Sequence, residues 1–500
     1  MPQSIALIEP HDLDRESARP LQWQLYESLR LSILDGRLIA GQRLPSSRAL
    51  ANDLNLGRNT VVAAYEQLAA EGYVLSRTGA GTEVAALPPE TVLEVGRSEN
   101  NERRPDPRRQ LSKRGEATAK VKRASPRYEK LAALPFQHGL PAMDSFPRDT
   151  WARLLARRAR QPQSRLYDYQ FGPGFPALRE AIAAYLGAAR GVVCGQENII
   201  VTAGAQAALD LAARMTVDPG DTVWIEDPGY LGARGALQSA GANLIPVPVD
   251  QEGMNPEALG ANTDTGTEYP KLIYVSPSYQ FPLGVTMSLN RRLALLERAK
   301  ETGAWILEDD YDSEYRYTGR PLAALQGLDG TGGVIYMGTF AKTLFPALRV
   351  GYLVVPDSLI DAFTSGIRMT GQSPPPAIQA ALADFMDDGH FTAHIRRMRT
   401  LYAARQEHLI KALERETGDL FRVPKLEGGM QLAAYLPDGT DDVAAAEAVH
   451  AARVLTTPLS GYYLNEPDKR GLYLGYAGVP EHDIDRAAKK LGTAMRDAGF

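Results

Sequence analysis

At 500 residues, 44% hydrophobic and 23% charged, the chain has the make-up of an ordinary globular protein too long for a single core. Its net charge of −5 at pH 7 excludes a uniformly basic nucleic-acid binder, and its single cysteine, Cys194, excludes an internal disulfide framework and suits a reducing compartment. No run approaches the ~18 uninterrupted apolar residues of a membrane span, and the opening MPQSIALIEPHDLDRE lacks the basic start and apolar core of a secretory signal, so a cytoplasmic protein is expected.

In chain order, Leu21, Leu25, Leu29 and Ile33 recur at helical spacing and predict a first amphipathic helix. GQRLPSS breaks it at Gly41 and Pro45, and Ser46 is placed to cap a second, short helix. After the turn NLG, the positions Val61, Ala64, Tyr65 and Leu68 mark the buried face of a third helix, which leaves Arg58, Asn59 and Thr60 exposed at its start. GYVLSRTGAGTEVA reads as a short hairpin with Gly79 and Gly81 in its tip. Three helices and a hairpin make a small packing module of any purpose, but they are also the parts of a DNA reader. An arginine can fork onto guanine and an asparagine onto adenine, which suits Arg58 and Asn59 to base edges. Arg48 and Thr60 suit phosphates, and the hairpin suits the adjoining groove.

The run LYESLRLSILDGRLIAGQRLPSSRALANDLNLGRNTVVAAYEQLAAEGYV closely resembles the winged helix-turn-helix of the GntR family of bacterial regulators. The resemblance implies binding to double-stranded promoter DNA through Arg43, Arg48, Arg58, Asn59, Thr60 and the wing glycine Gly81. A stretch that is Pro-bearing, charged and poor in apolar periodicity follows, and over 86–130 it holds 12 Lys/Arg against 7 Asp/Glu. Residues 87–133 are therefore expected to be a flexible linker between a DNA-binding domain at 1–86 and a larger domain at 134–500.

Beyond the linker, apolar runs alternate with helical patterns: NIIVT, TVWIEDPGY, KLIYVSPS, AWILEDDY, VIYMGTF and RVGYLVVP. This alternation predicts an α/β domain on a largely parallel sheet covered on both faces, with a smaller subdomain from about residue 375. Lys342, in GTFAKTLFPALRVGY, has Thr339 three residues before it and Arg349 seven after, both able to bind phosphate. TAGAQAAL presents Gly204, Ala205 and Gln206 at a strand-to-helix turn, where free backbone N–H groups make an anion site. A partly desolvated lysine beside positive charge has a lowered pKa and can form an imine with an aldehyde cofactor. ILEDDYDSEY ends a strand in carboxylates, of which Asp309 is the choice to keep a cofactor ring nitrogen protonated, with Tyr311 two residues later reaching the ring hydroxyl. Tyr230, in DPGY, is placed to stack on that ring, and no histidine lies near enough in sequence to suggest a metal.

Together TAGAQAAL, DPGY, SPSYQFPLG, EDDYDSEY and the lysine segment resemble fold type I aminotransferases in sequence and order. The resemblance implies pyridoxal 5'-phosphate (PLP) as cofactor, with Lys342 forming the Schiff base, Asp309 pairing with the pyridine nitrogen and Tyr311 bonding the ring hydroxyl. It also implies phosphate ligands in Thr339, Arg349, Ala205 and Gln206, and a residue lent by the partner of a homodimer in Tyr169. A GntR-type reader joined through a long linker to such a domain is the architecture of MocR-type regulators, and the resemblance and the linker length permit a domain-swapped dimer. Three departures stand out: Tyr473 occupies the usual position of the carboxylate-clamping arginine, Phe281 that of an asparagine, and Tyr279 that of a histidine. Arg470, three residues before Tyr473, should point elsewhere in a strand. The preferred reading is a regulator that senses PLP itself, as in the PdxR subgroup that controls vitamin B6 synthesis. The alternatives are sensing of an amine or amino acid captured on the cofactor, and a working aminotransferase. Enzymatic turnover is left open.

Overall fold

The computed structural model describes residues 13–77, 81–86, 111–119, 134–161, 166–169, 172–259, 269–319 and 322–500. They fall into two units, Met1–Gln110 and Leu111–Phe500.

In the first unit the apolar positions form helices α1 (Leu21–Leu34), α2 (Ser47–Asp53) and α3 (Arg58–Ala70). Leu25, Leu29 and Ile33 of α1 meet Val61, Ala64, Tyr65 and Leu68 of α3 in one core. Ser46 caps α2, its Oγ accepting from the Ala49 N–H at 3.2 Å. Tyr65 Oη donates to the Pro45 carbonyl at 3.0 Å, which ties the start of α2 to the middle of α3. The antiparallel hairpin β1 (Val74–Arg77) and β2 (Gly81–Val84) follows; Gly81 enters it at φ +90°, and Gly79 lies outside the described residues.

The second unit opens, among its described residues, with helix α4 (Lys113–Ala119). This helix lies inside the stretch expected to be flexible linker, and it is packed: Thr118 Oγ1 donates to Ser239 Oγ at 2.9 Å. Its apolar content is too small for the periodicity to show, so only the tertiary contact reveals it. The strands are β3 (Ile199–Thr202), β4 (Thr222–Asp227), β5 (Asn243–Asp250), β6 (Gly253–Met254), β7 (Leu272–Val275), β8 (Trp305–Asp309), β9 (Val334–Thr339) and β10 (Gly351–Val354). They make one sheet in the order β3-β10-β9-β8-β7-β4-β5-β6, parallel from β5 through β9, with β10 antiparallel between β3 and β9. Strands that look uniformly apolar in sequence alternate between two cores. Ile199 and Val201 enter one with Tyr336 and Tyr352, while Ile200 enters the other with Met337 and Leu353. β5 escaped the reading because Pro246 and Pro248 lack donors; its place beside the short β6, near the sheet edge, tolerates them. A three-stranded antiparallel sheet, β11 (Gln431–Tyr435), β13 (Gly471–Gly475) and β12 (Thr457–Pro458), follows the long helix His390–Thr417. No helix among the described residues is long and apolar enough to cross a membrane.

Candidate cofactor site and DNA-reading surface

Strand β3 passes through Gly204, at φ +90°, into helix α5 (Ala205–Thr216). The Ala205 and Gln206 N–H groups precede the first intrahelical bond, Ala208 N to Gly204 O at 3.2 Å, and so have no helical partner. The guanidinium of Arg349 lies against this turn: a Cβ added to Gly204 would sit 3.5 Å from Arg349 Cζ. Arg349 itself holds a left-handed φ of +52° just before β10. Gly351 pairs with Thr202 and Thr339, and a Cβ there would come within 2.8 Å of the Gly204 carbonyl carbon. Thr339 Oγ1 accepts from Ala341 N at 3.2 Å, while its own proton meets only Val350 O at 3.5 Å, too far to hold it firmly. Helix N-terminus and arginine thus meet at one turn, with Thr339 in register with the adjoining Gly351, an arrangement of the kind that can receive an anion. The Gln206 side-chain amide donates to Gly232 O at 3.1 Å.

Lys342 is partly buried, and its Nζ donates to Gly139 O at 3.1 Å. Gly139 has φ +78°, and a Cβ there would stand 2.5 Å from Nζ. Burial pushes the lysine below its ordinary pKa, while Asp312 and Asp309 pull it back up. The lowering therefore comes from desolvation and not from neighbouring positive charge as expected from sequence; the charges that bear on this lysine are carboxylates.

Asp309 and Asp310 have parted company. Asp310 pairs with Arg190 at 2.8 Å and accepts from Tyr336 and Ser313, so it is spent on packing. Asp309 is buried, accepts from Tyr274 Oη at 2.6 Å and is pushed up to about 7, chiefly by burial. Tyr311 Oη is buried without a hydrogen-bond partner among the described residues. Tyr230, the residue before helix α6 (Leu231–Ala240), is raised to about 12 by burial and by Asp309, with Arg349 opposing; its ring lies within electrostatic reach of both. Phe281 sits among Tyr230, Tyr311, Tyr462 and Tyr473 at centroid distances of 5.5, 6.1, 5.1 and 5.3 Å. Tyr473 is buried there, whereas Arg470 turns away to Asp442 and Glu466 at 3.8 and 3.7 Å. Tyr169 stands 82% exposed on this chain.

Tyr274, Gly139, His138 and Gly351 were not found from sequence. Tyr274 meets Asp309 only because β7 and β8 are adjacent and parallel, and Gly139 meets Lys342 across 203 positions. His138 stacks obliquely on Tyr473 and is held down to about 4 by burial and by Lys342.

In the first unit, Arg58 and Asn59 are exposed at the start of α3 with Thr60 half-buried beside them. Arg43 and Arg48 are exposed as well, and none of the three arginines forms an ion pair among the described residues.

A three-helix reader with a β-hairpin wing, followed by a sheet domain with a glycine turn into a helix and a lysine at its strand ends, defines the class of DNA-binding regulators built on an aminotransferase fold. Residues 21–84 match the family described as bacterial regulatory proteins, gntR family, and residues 144–491 match aminotransferase class I and II. The probable rhizopine catabolism regulatory protein MocR of Rhizobium meliloti is 45% identical, covering 97% of this chain and 95% of that protein. The HTH-type pyridoxine biosynthesis transcriptional regulator PdxR of Corynebacterium glutamicum is 30% identical, covering 97% and 98%. Among solved structures, a kynurenine aminotransferase of Pyrococcus horikoshii covers 74% of this chain and 93% of its own, with TM-score 0.68 and 31% identity. The chain belongs to the GntR family of bacterial regulatory proteins, as a MocR-type transcriptional regulator with a fold type I, aminotransferase class I and II domain.

Proposed function

We propose that the second unit is a sensor that holds PLP on Lys342 and reports its occupancy to the DNA-binding unit. The observation that carries this is the set of open valences around one space. Among the described residues Lys342 Nζ has a single backbone partner and Tyr311 Oη has none, Asp309 is a buried acid, and the α5 turn with Arg349 offers an anion cradle. An aldehyde, a phenolic oxygen, a protonated ring nitrogen and a phosphate would satisfy these in turn, so the residues present fit the group. When bound, PLP supplies an aldehyde that joins and exchanges amines. The chain's part is to favour the neutral form of Lys342 by desolvation, to anchor the phosphate, and to hold Asp309 against the ring nitrogen. That pairing would favour the ionised form of Asp309 and lower it from about 7.

The PdxR relative supports PLP as the signal, and we take this as the first reading. A second reading places a small amine on the same site. It draws on the 45% identity to a protein named for rhizopine catabolism, and on Tyr473 and the averted Arg470, so that neither of these positions offers a guanidinium to an amino-acid carboxylate. The same feature weighs against routine transamination. Arg43, Arg48, Arg58, Asn59 and Thr60 are proposed to meet DNA, with Gly81 shaping the wing.

Fluorescence anisotropy on the DNA upstream of the protein's own gene tests both readings. PLP is expected to change the affinity of wild type and to leave Lys342→Ala unmoved. If affinity is indifferent to PLP but shifts with an added amine on the PLP-loaded protein, the second reading replaces the first.

A further inference from the structure

After the stretch read as linker, residues 134–142 lead into the body of the second unit, and they run past Lys342. One side of this segment is tied to its own unit by backbone bonds. Pro135 O accepts from Leu455 N at 3.0 Å, and Phe136 O from Gly475 N at 2.8 Å. The Gly139 N–H donates to Gln431 Oε1 at 2.8 Å, and the Ala142 N–H to Tyr402 Oη at 2.9 Å. The segment lies so close to β13 that a Cβ on Gly475 would stand 2.6 Å from His138 Cα. From the other side Lys342 Nζ donates to Gly139 O at 3.1 Å. Two features show that this path is held under constraint. Phe136 is fully buried with a left-handed φ of +67°, which a bulky residue adopts only where its surroundings impose it. A cavity of about 300 Å³ borders the same stretch, with Leu134, Pro135, Gln137 and Leu140 in its wall. The segment therefore has room to shift that a close-packed one lacks.

We propose that residues 134–142 are a strap that reads the state of Lys342: the free lysine holds it down through Gly139 O, and capture of the amine releases it. Condensation with an aldehyde joins Nζ to the carbonyl carbon, and both hydrogens of the neutral amine leave with the carbonyl oxygen as water. The donor to Gly139 O is lost with them. Gly139 is the transmitting residue, because a Cβ there would stand 2.5 Å from Nζ and break the tie. The strap is continuous in sequence with the linker, so its release changes how the linker leaves the unit. This inference rests on the reading that Lys342 holds PLP, and its test keeps the two apart.

Lys342→Met cannot donate to Gly139 O, Lys342→Arg can, and neither captures an aldehyde. Amide hydrogen exchange is read first, on the full-length protein without PLP. Gly139 and Ala142 are expected to exchange about tenfold faster in Lys342→Met than in wild type, as for loss of one hydrogen bond, with Lys342→Arg near wild type. Anisotropy on the DNA upstream of the protein's own gene is read second. Lys342→Met is expected to match the affinity of PLP-loaded wild type, and Lys342→Arg that of unloaded wild type. Equal exchange rates in the two variants, or equal DNA affinities, overturn the strap. If PLP shifts wild-type affinity while the variants behave alike, the strap fails and the PLP reading stands. If the variants differ while PLP leaves wild type unmoved, the strap stands and the PLP reading falls. Should Lys342→Met fail to fold, Lys342→Ala takes its place in both comparisons.

Discussion

At Gly351 the chain shows how one absent Cβ shapes a binding turn. An alanine there would drive a carbon to 2.8 Å from the Gly204 carbonyl carbon and 3.1 Å from Ala205 N, both backbone atoms that cannot rotate away. Gly351→Ala is expected to cost roughly 1–3 kcal/mol through overpacking. It should also loosen phosphate binding, because the displaced atoms are the anion-facing turn itself. Melting temperature with and without added PLP checks this: the PLP-induced rise should shrink along with the base value. His394 gives a pH-dependent counterpart. Its Nε2 meets Thr343 O at 3.1 Å and its Nδ1 faces Arg397 Nη2 at 3.3 Å, so the neutral ring donates at one end and accepts at the other. Burial, with Arg397, holds it down to about 4. The unfolded chain therefore takes up a proton below about pH 6.5 that the folded chain refuses until about pH 4. Stability falls as pH drops through that window, by about 2 kcal/mol from this residue at pH 5. Urea midpoints at pH 7 and pH 5 should draw together in His394→Gln relative to wild type.

Helix α3 is divided along its length by the same pattern that was visible in sequence. Val61, Ala64, Tyr65 and Leu68 are buried, and Arg58 and Asn59 stand free at its N-terminal end. If that end enters the major groove, Arg58→Ala should lose roughly 1–3 kcal/mol on the cognate site and relax the preference for one base pair. Arg48→Ala should weaken all sequences alike and reduce the steepness of the salt dependence by about one charge. Titrations of cognate and scrambled DNA at several salt concentrations separate the two outcomes. Equal, sequence-independent losses for both would assign Arg58 to phosphate. Strand elements were less legible. Runs such as IIVT are apolar at every position, and only the sheet shows which residues serve which core. α4 and β5 were hidden by composition, the first by charge and the second by its prolines.

For the molecule as a whole, Tyr169 is the residue that the single chain does not explain. It is 82% exposed, as a residue offered to a partner subunit would be. If it serves in trans, Lys342→Ala and Tyr169→Phe proteins, each impaired in PLP retention, should partly complement when mixed. In a mixed dimer one of the two sites has both native residues. Absorbance of retained PLP after gel filtration measures the recovery, and no recovery on mixing would place Tyr169 outside the site.

What the sequence determined by itself was whatever is encoded over a few turns of chain. The helix spacing, the Ser46 cap, the strand-to-helix turn at Gly204 and the Thr339–Lys342–Arg349 segment each depend on residues within about ten positions of one another. What only the tertiary structure decided was which distant groups meet. Tyr274 reaches Asp309, Gly139 reaches Lys342, Arg190 claims Asp310 rather than Asp309, and Asp312 is left buried without a hydrogen-bond partner among the described residues. These pairings follow from strand order and loop packing. Periodicity reports the face on which a residue lies, but burial and pairing set the charge it carries, and both are properties of the assembled fold.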